Sequence, residues 1–170
     1  MLIINFLPDS NFEDVSASVR EYEDLWKSDG VRIVDAWESL SGYTFKETFI
    51  NAVICPSQRA QSHPLSFKAE YTAEEKKLYV THELGHRILR THLKLAFTKR
   101  SIELNSLENH KVFDLLLYDV FELVYGKAFT DYAVVYEREQ VGGVYKEAWD
   151  FELSFKTKEE RQQKFKEMMM

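Results

Sequence analysis

Apolar and polar positions along this chain change period several times, and each change marks an element. The opening stretch LIINFL (2–7) is short and apolar and predicts a first strand. FEDVSASVREYEDLWKS (12–28) repeats its apolar residues at helical spacing, and Gly30 just beyond predicts a stop. VRIVDAWESLSG (31–42) carries two signals: VRIV favours strand, whereas VDAWESL before Gly42 favours helix, and the balance falls on helix. TFKETFINAVICP (44–56), rich in β-branched and aromatic residues and ended by Pro56, predicts a strand. PSQRAQSHPLSFKAEY (56–71) has little periodicity and reads as a long loop with a short strand at LSFKAEY.

The second half is more helical. Thr72 followed by Glu75 makes a capping box, so a helix should begin there and run to about Lys94. Another should begin at Asn105 or Ser106 and continue to Gly126. Its apolar stripe, Phe113, Leu116, Leu117, Val120, Phe121 and Val124, predicts a core face. YAVVYE (132–137) reads as a strand, YKEAWDFELSF (145–155) as a helix, and KTKEERQQKFKEMMM (156–170) as a charged helical tail. The fold class expected is α+β, in a single domain spanning 1–170.

Composition narrows the function. A net charge of −6 argues against nucleic acid or an anionic membrane as main partner, since both select for basic surface. Cys55 is the only cysteine, which excludes an internal disulfide and a multi-cysteine zinc site; it sits in the apolar run FINAVIC and reads as a buried small hydrophobe. No run of about 18 apolar residues is present to span a membrane, and MLIINFLPDS lacks the basic segment and cleavage site of a signal peptide. A cytoplasmic location is the expectation.

The chemistry concentrates in LYVTHELGHRILR (78–90). His82 and His86, four apart on a helix, share one face and can hold one metal ion. Glu83 is rotated about 100° from His82, which suits a base holding a metal-bound water better than a ligand. Gly85 in mid-helix suggests a close approach to the backbone. Shuffling this composition, with its 5 histidines, yields HExxH somewhere with a probability of only about 0.02. A zinc hydrolase needs a third protein ligand and one open position. His110, in NHKVFD (109–114), is the leading candidate, with Asp114 one turn later to accept a hydrogen bond from a ligand histidine. Glu108 is the rival, although it also fits as capping partner of Asn105. His92 and His63 are further alternatives.

HELGH (82–86) on one helix and NHKVFD (109–114) on the next resemble the zincin metallopeptidases, above all the thermolysin-like gluzincin branch. In that branch the second helix carries asparagine–glutamate and then an aspartate four residues after the glutamate; here histidine takes the glutamate's place. The metzincin pattern HExxHxxGxxH fits less well, because Leu89 stands where its glycine would be. The resemblance covers about residues 75–120. It implies a small domain with a mixed sheet, an edge strand above the helix carrying HELGH, and a zinc ion (Zn2+) held by His82, His86 and His110. It further implies Glu83 as general base, Asp114 behind a ligand histidine, and a peptide or protein substrate. Such hydrolases add a donor for the developing oxyanion, for which Tyr125, Tyr132, Tyr136 and Tyr145 are candidates. A catalytically inactive peptide-binding or regulatory module is the alternative, against which the retained Glu83 speaks.

Overall fold

The computed structural model describes residues 2–9, 14–103 and 105–170. The chain divides into two compact units, Met1–Glu38 with Tyr43–Ile88, and Ser39–Gly42 with Leu89–Met170. Among the described residues there are four strands and six α-helices, an α+β protein.

The first unit is built on a mixed sheet. β1 (Ile3–Pro8), β2 (Phe49–Cys55) and β4 (Leu65–Lys68) run parallel, and the two-residue β3 (Gln61–Ser62) closes the order β1-β2-β4-β3 antiparallel to β4. The register sets Ile4 beside Ile50, Phe6 beside Ala52 and Ile54 beside Phe67, so one face is continuously apolar and buried. α1 (Ser16–Ser41) covers that face. Tyr22 stacks on Phe6 and Phe67 at 5.7 and 5.2 Å, and its hydroxyl donates to the Lys68 carbonyl at 2.8 Å. The buried Lys76 lies over the Tyr22 ring and pairs with Glu21.

α1 corrects one expectation. Gly30 does not stop the helix, which continues through VRIVDAWESL to Ser41 and ends before Gly42 at φ +73°. A β-carbon on Gly30 would lie 2.7–2.9 Å from the Trp26 indole, so the residue is small because Trp26 lies across it. The expected start at Phe12 lies outside the described residues. The long loop 56–71 contains the β3–β4 hairpin, turning at His63-Pro64.

α2 (Ala73–Lys99) runs unbroken from the first unit into the second, and its start is as expected. The Thr72 amide donates to Glu75 at 2.7 Å and the Glu75 amide to the Thr72 hydroxyl at 3.2 Å. It extends past Lys94 because neither glycine nor proline follows before Ser101. It ends where Ser101 turns to φ +54° and the Ile102 amide donates back to the Phe97 carbonyl.

The second unit centres on α3 (Ser106–Tyr125), capped by the Asn105 side chain on the Glu108 amide and ended by Gly126 at φ +85°. Its expected stripe is buried, and so are Val112 and Leu115. α4 (Lys127–Val135), α5 (Val144–Glu152) and α6 (Lys158–Met169) complete it. The strand expected at 132–137 is absent: those residues belong to α4 and to a π-helical turn, Tyr136–Val141. Among the described residues the second unit contains no strand for YAVVYE to pair with, so its β-propensity is overridden by helical packing. The charged tail is helical from Lys158, behind a capping box formed by Thr157 and Glu160.

Candidate metal centre

The capping box fixes the phase of α2 and places His82 and His86 one turn apart on a buried stretch. Their rings meet edge to face, centroids 4.7 Å apart, with the two Nε2 atoms separated by 3.0 Å. Two imidazole nitrogens this close cannot both carry a proton; the pair accommodates one shared proton or a cation. His110 rises from the first turn of α3. Its Nδ1 lies 2.7 Å from the Ser106 carbonyl, which places a proton on Nδ1 and makes Nε2 the nitrogen that could hold a metal. Ring nitrogens of His82, His86 and His110 all lie within 4.8 Å of one another. Ligands at 2.0–2.1 Å around a tetrahedral zinc stand about 3.3 Å apart, close to the 3.0 Å between the His82 and His86 nitrogens.

Glu83, the residue after His82, is buried. The rival ligands are not in the group. The Glu108 carboxylate pairs with Lys111 at 2.8 Å, while its amide is held by the Asn105 cap, so its place is that of a capping residue. His92 lies half-buried farther along α2, and His63 is exposed in the β3–β4 turn.

Asp114 lies four residues after His110 on α3. The Ser106 carbonyl orients His110, and the Asp114 carboxylate has no hydrogen-bond partner among the described residues. Complete burial, together with the charges of Glu137 and Glu152, holds its carboxyl well above the usual carboxylate range. Its neighbours form a buried polar cluster. The Trp149 indole donates to Glu137 at 2.7 Å, and Arg161 grips Asp119 with two nitrogens and approaches Glu152 at 3.4 Å. Glu152 is pushed up to about 8 by burial, with Arg161 opposing and the Asp119 charge adding to the rise.

Two supporting residues, Trp37 and Arg87, escaped the sequence reading. The buried Trp37 indole donates to the Thr81 carbonyl at 3.0 Å, directly before His82. Arg87, directly after His86, donates to the Ser62 carbonyl of β3 and to Glu47 at 2.8 Å, joining the motif helix to the sheet edge and to the loop before β2. Its place beside HELGH was a signal that could have been used. Among the four tyrosines, Tyr145 stands against the His110 ring at 4.6 Å. Tyr125 packs on Phe129, and Tyr132 and Tyr136 pack on each other. No periodicity distinguishes Tyr145 from the others; only the fold does.

Cys55 is buried as expected, its thiol pushed up by burial and by the neighbouring Asp9. No described helix is long and apolar enough to cross a membrane. Compared with models of known families, curated proteins and solved structures, the chain matches none.

Proposed function

We propose that this chain is a zinc-dependent peptidase, a zincin-like hydrolase of the gluzincin type in which His110 replaces the glutamate ligand. The observation that carries the reading is the gathering of three histidine nitrogens within 4.8 Å, with a buried carboxylate adjoining the first of them in sequence. Three histidines with one position left open are the donor set of catalytic zinc, whereas structural sites use all four positions. A zinc ion bound there supplies Lewis acidity toward a peptide carbonyl and lowers the pKa of water toward 7.

The chain's own residues would do the rest. His82, His86 and His110 hold the ion as neutral imidazoles. The Glu83 carboxylate takes a proton from the attacking water and passes it to the leaving amine nitrogen. Tyr145, whose ring lies 4.6 Å from that of His110, is the tyrosine that would donate its hydroxyl to the carbonyl oxygen as negative charge develops there. Arg87 steadies the short edge strand β3, the strand along which an extended peptide would lie.

The test compares wild type with Glu83→Gln on a mixed peptide library read by mass spectrometry, with zinc content measured in both. Glutamine keeps the size and hydrogen-bonding of glutamate but cannot take a proton at neutral pH. The variant should retain zinc and lose roughly 10²–10⁴ in rate. Full zinc with no cleavage by wild type would assign the chain to the non-catalytic peptide-binding class instead, and equal cleavage by both would remove Glu83 as base.

A further inference from the structure

The first unit carries a feature unrelated to the histidines. A cavity of about 300 Å³ opens beside α1, lined by Leu2, Ile3, Trp26, Gly30, Val31 and Val34. Ile3 and Val31 are 57% and 53% exposed, large values for aliphatic side chains in one patch. Two charged residues also line it, Lys27 and Asp35. Both are exposed, and neither has an ion-pair partner among the described residues, whereas Arg32 on the same helix is paired with Asp29.

The spacing of these residues is self-complementary. Lys27 lies four residues before Val31 and Asp35 four after, so the three form one i±4 ridge, with opposite charges about 6 Å to either side of an apolar centre. We propose that this face binds a second copy of the chain, with α1 antiparallel to the partner's α1 about a two-fold axis at Val31. In that arrangement each Lys27 meets the partner's Asp35, and each Val31 enters the cavity of the other copy. A two-fold interface requires such a surface, in which residue i contacts j and j contacts i. A different protein would need to supply the mirror pattern independently, which is why the charges select a second copy. Asp24 and Glu38, seven residues to either side of Val31, would repel in aligned helices. A crossing near −50°, the usual angle for interlocked i±4 ridges, separates them and confines contact to the central ridge.

The experiment is sedimentation equilibrium of the full chain over a dilution series, with circular dichroism to confirm folding of each variant. Wild type should be a reversible dimer. Lys27→Asp and Asp35→Lys, each alone, should raise the dissociation constant about tenfold or more by opposing like charges twice per dimer. The double variant Lys27→Asp/Asp35→Lys should restore wild-type dimerisation. Val31→Cys should form a disulfide between copies under mild oxidation, since the axis brings the two residues 31 together. A monomeric wild type overturns the proposal. So does a dimer indifferent to either reversal, a double variant that fails to recover, or absence of the Val31→Cys cross-link. None of these results bears on metal binding.

Discussion

Removing His110 tests the metal centre independently of any substrate. A ligand that binds only the folded state stabilises it by RT ln(1 + [L]/Kd), about 2.7 kcal/mol at one hundred times Kd. For a chain of this length each kcal/mol moves Tm by roughly 2–4 °C, so saturating zinc should raise the Tm of metal-free wild type by about 5–10 °C. His110→Ala leaves His82 and His86, with Nε2 atoms 3.0 Å apart, as a two-nitrogen site. If that loss weakens affinity about a hundredfold, the same zinc concentration is worth only about 0.4 kcal/mol, near 1 °C. Glu108→Ala is the control. Among the described residues its carboxylate pairs with Lys111, in a partly exposed pair worth about 0.5 kcal/mol or less. Its baseline Tm should fall slightly while the zinc increment stays complete. Scanning calorimetry of the three proteins, each stripped with chelator and then titrated with zinc, reads all of these quantities. The reasoning is refuted if the increment survives His110→Ala, and the second helix supplies the other ligand if Glu108→Ala abolishes it.

Glu152 has a folded pKa near 8 against an ordinary value of 4.5, so the folded state holds a proton that the unfolded state releases. That stability is complete below about pH 4.5 and is lost as pH rises through 8; urea unfolding of wild type should weaken across this window, and Glu152→Gln should flatten the dependence. Arg161→Leu leaves the buried Asp119 carboxylate without its bidentate partner and should destabilise by about 3–5 kcal/mol, read from the urea midpoint. Trp37→Phe keeps much of the ring volume but removes the indole donor to the Thr81 carbonyl. It should cost about 1–3 kcal/mol and accelerate amide hydrogen exchange near Thr81.

Local signals carried most of the element boundaries and the motif. Thr72 with Glu75, Asn105 and Gly126 are short-range devices whose hydrogen bonds and dihedral angles form within one turn, so their positions are readable without the rest of the chain. The same holds for His82, Glu83 and His86, because helical geometry alone puts the two histidines on one face. The fold decided everything that depends on contacts distant in sequence. Gly30 reads as a stop in isolation, yet it lies inside a continuous helix because α1 covers the buried face of a sheet and Trp26 fills the space above the glycine. YAVVYE has the side chains of a strand but lies in a unit with none among the described residues, and a strand without a partner leaves its backbone groups unpaired. Asp114 reads as one more polar residue on a helix face until the fold buries it completely beside Glu137 and Glu152. Tyr145 is one tyrosine among nine until α5 sets it against His110. Each of these outcomes depends on solvation or packing by residues far along the chain, and sequence spacing encodes neither.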